Sequence, residues 1–202
     1  MKQTLVRRAR LRLGGLTPAA VVLAAAYTAG VLLGSIAARW TETEELSRSL
    51  DSCLEAVRAG TLNAAWLPLI WKCVRFPAVI FLSGFSALGL AVIPAVLGLE
   101  GFTLAFSVSA FLRVYGLAGY LPALAAFGLG GFVALSALLV LGLQCWQTSG
   151  RLAERLKTGR RTVIYSRDYW ESCALCGLLV LLWILIEKFA VLPLLAAAIE
   201  KL

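Results

Sequence analysis

The sequence has no histidine among its 202 residues, and that absence removes much chemistry at once. Ser-His and Cys-His nucleophile pairs, His-ligated metals and imidazole pH sensing all need a side chain the chain lacks. Aspartate is nearly missing too. Asp51 and Asp168 both fall in polar connecting stretches, which excludes a pair of intramembrane catalytic aspartates. Charge of either sign is scarce, at 15% of residues, where soluble domains carry about a quarter.

Apolar residues fill the space left by these absences. They make up 60% of the chain, and the mean hydropathy is +0.86. The charges are clustered, leaving apolar runs of about twenty residues, the length that crosses a hydrocarbon core. The expected fold is therefore an all-α, polytopic transmembrane bundle whose solvent is the lipid bilayer. Five runs stand out: residues 17–38, 76–98, 102–119, 121–143 and a fifth from about 172.

The basic residues orient these runs. Lys2, Arg7, Arg8, Arg10 and Arg12 precede the first, and Arg151, Arg155, Lys157, Arg160, Arg161 and Arg167 lie between the fourth and fifth. Eleven of nineteen cations thus sit in two segments that five spans place on one side. By the positive-inside rule that side is cytoplasmic, and the C-terminus is outside. The net charge of +8 reads as a topology signal, and no nucleic-acid partner is expected. The chain then forms a single membrane domain, with a cytoplasmic N-terminus over 1–16, an external helical segment over 39–75 and a cytoplasmic loop over 144–171. Ser35-Ile36-Ala37 has the small-x-small form of a cleavage site. The run before it exceeds the roughly 7–15 residues of a signal-peptide core, so a retained anchor is expected.

The external segment has its own order. Thr41 and Glu44 fit a capping box. Leu46, Leu50, Cys53, Leu54 and Val57 then share one helical face, and Gly60 is a stop signal. Such a helix lies on the membrane or offers its face to a partner, which makes Leu50 and Leu54 candidate interaction residues. Trp66 and Trp71, followed by Lys72 and Arg75, read as an interfacial anchor.

Small residues recur every four positions as Ala26, Gly30, Gly34 and Ala38, and again as Ser83, Ala87, Ala91 and Ala95. Stripes of this kind let membrane helices approach closely. Gly30, Gly34, Ser83 and Ala87 are thus candidate packing residues. So are Gly101 and Phe102, which open the third run after a tight turn holding Glu100. Packing within one chain is the expected use, and a homo-oligomer is left open. Arg113, late in the third run, is close enough to its end to snorkel. Glu187 is a carboxylate at membrane depth, a functional position by default. Pairing with Lys188 or Arg113, or exposure at the interface, is its structural alternative.

Cys173 and Cys176 form a lone C-x-x-C without a second pair, so no metal or other cofactor is expected. Cys53 and Cys73 share the external segment and could form a disulfide. The remaining cysteine, Cys145, reads as a small apolar residue.

Several short stretches together resemble the stage II sporulation protein M family. They are Tyr27-Thr28-Ala29-Gly30-Val31-Leu32-Leu33-Gly34 after a basic N-terminus and Val74-Arg75-Phe76-Pro77. Gly89-Leu90-Ala91-Val92-Ile93-Pro94 and Glu100-Gly101-Phe102-Thr103-Leu104-Ala105-Phe106-Ser107 follow, then Leu185-Ile186-Glu187 with Pro193. The resemblance spans nearly the whole chain. It departs from the family at Ala105, where a second glycine is expected, and in lacking a Pro-His-Gly element. It implies a multi-pass protein in the cell membrane of a spore-forming bacterium. There it would be a non-enzymatic scaffold anchoring a peptidoglycan-remodelling complex, with membrane-associated cell-wall hydrolases as partners, during endospore engulfment. The alternative is a transporter or permease subunit, for which Arg113 and Glu187 speak. An intramembrane serine or cysteine enzyme is the third reading, and no general base accompanies Ser83, Ser86, Ser107, Ser109 or Ser136.

Overall fold

The computed structural model describes residues 2–58, 66–158, 167–191 and 193. Among them every regular element is helical. The chain runs through α1 (Lys2–Trp40), α2 (Thr43–Arg58), α3 (Trp66–Ser83) and α4 (Gly89–Tyr115). Short turns over Gly116–Gly119, Tyr120–Ala123 and Leu124–Gly128 lead into α5 (Leu129–Thr158). The last helix, α6 (Arg167–Ile186), widens into a π-helical turn at Glu187–Val191. Among the described residues four stretches are long and apolar enough to cross a bilayer: Pro18–Trp40, Gly89–Tyr115, Gly130–Leu156 and Cys173–Val191. Large apolar side chains such as Leu32, Leu33, Phe132, Leu178 and Leu181 point out of the bundle, as they do where lipid replaces water.

The most extensive interface among the described residues joins α1 and α4. Gly30 lies against the backbone of Gly98, Gly34 against that of Phe102, and Gly101 against Tyr27. Residue numbers rise together along both helices, so they run parallel. Neither Gly30 nor Gly34 has room for a Cβ, because the atom in the way is a backbone carbonyl oxygen.

This interface overturns one expectation. Glu100, Gly101 and Phe102 do not form a turn and an entry to a new span; all three lie within α4. Gly98 and Gly101 admit α1 instead of bending the chain. The reversal occurs earlier, over residues 84–88, where Ser83, Gly84, Ser86 and Gly89 weaken the helix. There the Ser149 hydroxyl, fully buried on α5, donates to the Ser83 carbonyl at 3.2 Å. That adds a second donor to a carbonyl at the end of α3 that already accepts from the Ser86 N–H at 3.1 Å. The stripe through Ser83, Ala87, Ala91 and Ala95 is consequently cut in two, with Ser83 ending α3 and Ala87 in the turn.

Other boundaries also shift. The segment expected to remain external to residue 75 is already helix from Trp66. Much of the expected 144–171 loop is helix, since α5 continues to Thr158 and α6 begins at Arg167. Gly116, with φ of 59° and ψ of −138°, ends α4 in a positive-φ conformation that glycine tolerates. Gly60 and the arginines at 160 and 161 lie outside the described residues.

One end of the bundle gathers the C-terminal ends of α1, α4 and α6 with the starts of α3 and α5. Arg113 reaches Ala38, Lys188 covers Trp66, and Phe111 meets Phe127 with ring centroids 6.1 Å apart. The half toward the opposite end is filled by Leu23, Ile80, Ile93, Leu97, Leu138, Leu141, Cys145 and Cys176.

Candidate functional site

Two features at the α2 end carry polar chemistry, and the first is the seat of α2 itself. Arg113, near the end of α4, is exposed and reaches the connection between α1 and α2. Its guanidinium donates to the Ala38 carbonyl, to the Thr41 carbonyl at 2.9 Å and to the Thr43 hydroxyl at 3.4 Å. The closing carbonyls of a helix lack intrahelical partners and carry partial negative charge, so a cation from a neighbouring helix is well placed there. Two residues on, the Tyr115 hydroxyl donates to the Asp51 carboxylate at 2.8 Å. Both ends of one α4 turn thereby hold α2. Thr41 is no capping residue in this arrangement, because its hydroxyl turns back to the Ala37 carbonyl at 3.0 Å.

Leu46 is buried, so the apolar face of α2 is partly used within the chain. Leu50 is half-buried, Asp51 and Glu55 are exposed, and the side chain of Leu54 lies outside the described residues. The Arg48–Glu44 contact at 3.9 Å is fully in the open and adds little.

The second feature is a chamber of about 160 Å³ between α3, α4, α5 and α6. Lys72 and Arg75 reach it from α3, Glu100, Thr103 and Ser107 from α4, Gly130 from α5, and Trp183 with Glu187 from the last helix. Helical spacing explains the convergence, since Lys72, Arg75 and Phe76 share one face of α3, as Glu100, Thr103 and Ser107 do on α4. Lys72 donates to the Glu187 Oε1 in an ion pair that spans 115 positions of sequence. The carboxylate is almost wholly buried, while the lysine is about half exposed. Glu187 thus pairs with neither Lys188 nor Arg113. Lys188 lies with its ammonium 3.9 Å above the Trp66 ring. Adjacent residues of the π-helical turn therefore grip α3 at two heights.

The rest of the chamber is less complete. Arg75 stacks on Phe76, 4.5 Å from the ring centroid, and acts on Glu100 through space without an ion pair. The indole N–H of Trp183 is buried and has no acceptor among the described residues. Gly130 lets Glu187 and Trp183 close against α5, since a Cβ there would lie 2.6 Å from Glu187 Oε2 and 3.5 Å from Trp183 Nε1.

Sequence reasoning singled out Glu187 and Lys72 but gave them separate roles. It passed over Arg75 and Trp183 as chamber residues, and placed Glu100 in a turn. The available signal was a lysine and an arginine three residues apart inside a stretch that continues as apolar helix to Ser83. Cys73 is a buried free thiol packed with Leu69, Ala134, Trp183 and Ile184, and the side chain of Cys53 lies outside the described residues. Cys176 is buried beside the Ala137 carbonyl, at 3.5 Å. The described residues contain no cluster able to hold a metal ion.

A larger groove of about 720 Å³ runs between α3 and α6 and is lined by Ile70, Val74, Pro77, Val180, Ile184 and neighbouring side chains. Its lining is almost entirely apolar, as a lipid-facing surface requires. No protein-family model matches the chain, and no curated protein or solved structure matches it either.

Proposed function

We propose that this chain is a non-enzymatic scaffold of the cell membrane that presents α2 outside the cell to hold membrane-associated cell-wall hydrolases. The observation that carries the reading is the attachment of α2 and the connection before it to α4, through Tyr115 on Asp51 and Arg113 on Thr41 and Thr43. An amphipathic helix fixed at defined points can offer a partner its remaining face without a large ordering cost. The resemblance to the stage II sporulation protein M family supplies the setting, a peptidoglycan-remodelling complex at engulfment in a spore-forming bacterium.

Five crossings fit this reading, with α1, α3, α4, α5 and α6 as the spans. Parallel α1 and α4 are joined through α2, so the intervening α3 must return the chain across the bundle. An odd number of crossings leaves the basic N-terminus and the basic α5–α6 connection inside and the C-terminus outside.

Reporter fusions at residue 202 and hydrolase capture test the two halves separately. Outer-side activity of the fusion supports the topology; cytoplasmic activity refutes it. Leu50→Asp with Leu54→Asp should abolish retention of a membrane-bound hydrolase while the spans insert normally. Undiminished retention would remove α2 as the docking surface.

A permease subunit is the second reading, favoured by the charged chamber, because intramembrane charge commonly marks a solute or ion pathway. Uptake of a charged solute by vesicles containing the purified chain, absent from empty vesicles, would favour it over the scaffold.

A further inference from the structure

The chamber holds groups of both signs whose partners are incomplete, and the three incomplete groups lie on three different helices. Arg75, on α3, is exposed, stacks on the face of Phe76 and makes no ion pair among the described residues. Glu100, on α4, feels Arg75 and Lys72 electrostatically, and its carboxylate has no hydrogen bond or ion pair among the described residues. Trp183, on α6, buries an indole N–H with no acceptor. A buried donor left unmade is costly, so a native structure that keeps one commonly has a missing partner. Lys72 and Glu187 already satisfy each other. Gly130, having no Cβ, lets Glu187 and Trp183 pack directly on α5 at the chamber wall.

The charges decide what fits. Two cations and two carboxylates line the chamber, so its formal charge is balanced. A simple anion or cation would leave a net charge at membrane depth, which is expensive. A ligand carrying both charges adds none. We propose that the chamber binds a small zwitterion, its anionic group on Arg75 and the Trp183 N–H and its ammonium on Glu100. The volume suffices, because one water needs only about 10–15 Å³ of such space, against about 160 Å³ here. The apolar cluster around Ile93, Leu97 and Leu138 closes the chamber toward the N-terminal end of α1. Entry is from the α2 end or sideways between helices. The source is therefore either a free zwitterionic solute or a lipid headgroup with the same two charges. This inference does not depend on the scaffold reading.

The test uses the full chain, purified in a zwitterion-free detergent, with calorimetric titration of L-alanine and of glycerophosphoethanolamine. A parallel arm uses native mass spectrometry of the chain in nanodiscs with and without phosphatidylethanolamine. Saturable binding of a soluble probe supports a free solute; retention of phosphatidylethanolamine alone supports a headgroup. Arg75→Gln and Glu100→Gln should each weaken the bound probe at least tenfold. Trp183→Phe keeps the ring, loses the donor, and should weaken it about fivefold to tenfold. Thermal melting identifies any variant that fails to fold, and the remaining ones decide. Acetate and ethylamine, each with half the charges, should bind far more weakly than alanine. No saturable binding in either arm overturns the proposal. So does binding that is unchanged in all folded variants, or acetate binding as tight as alanine.

Discussion

Replacing Gly30 with alanine should destabilise the bundle sharply, although alanine is the better helix former. At Gly30 the added methyl would meet the carbonyl oxygen, carbonyl carbon and Cα of Gly98. All three are backbone atoms of a helix and cannot rotate away, so α1 and α4 must separate along their shared face. Overpacking of this kind costs about 1–3 kcal/mol, and a rigid neighbour argues for the upper end. A loss of about 3 kcal/mol is roughly a hundredfold in the folding equilibrium. The control is Gly177→Ala on α6, where nothing lies within 4 Å of the added atom. There the only change is in backbone freedom, a gain of about 0.5–1 kcal/mol. Leu33→Ile, on the exposed face of α1, should be close to neutral. The assay is the fraction of protein remaining monodisperse after heating in mild detergent. Opposite shifts for the two glycine variants are expected. Equal behaviour of Gly30→Ala and Gly177→Ala would refute the close approach of α1 to α4.

Lys72→Met leaves the Glu187 carboxylate buried without its cation and should cost roughly 2–3 kcal/mol, below the range for fully buried pairs because Lys72 is half exposed. The double variant Lys72→Met with Glu187→Gln should recover part of that loss in the same heating assay; a double variant worse than the sum of the singles would deny the pairing. Arg113→Gln should loosen α2 and expose the α1–α2 connection to protease, whereas Arg48→Gln, whose ion pair is wholly exposed, should leave the digestion pattern unchanged. Cys73 and Cys145 are fully buried, so a maleimide should label them only after denaturation, and reduction should not alter electrophoretic mobility through a Cys53–Cys73 bond.

Composition and the spacing of charges were enough to read an all-helical chain with helices long and apolar enough to cross a membrane. Long uncharged runs have few other physical solutions, because a backbone in lipid must bond internally. The amphipathic α2 was legible as well, since its apolar residues recur at helical spacing within one short segment. The close-packing stripe on α1 could be seen, but its partner could not. Gly98 and Gly101 have the same composition in a turn as in a tight helical contact. Only the presence of Gly30 and Gly34 on the facing helix decides which use is made of them. The chain therefore reverses at Gly84 to Gly89, where Ser149 from α5 bonds the loose end of α3, and Glu100 is carried into the interior. The chamber depends on the same decision. Lys72 and Glu187 are 115 residues apart and share no local pattern. They meet because the helices that carry them pack side by side, a relation set by the tertiary structure alone.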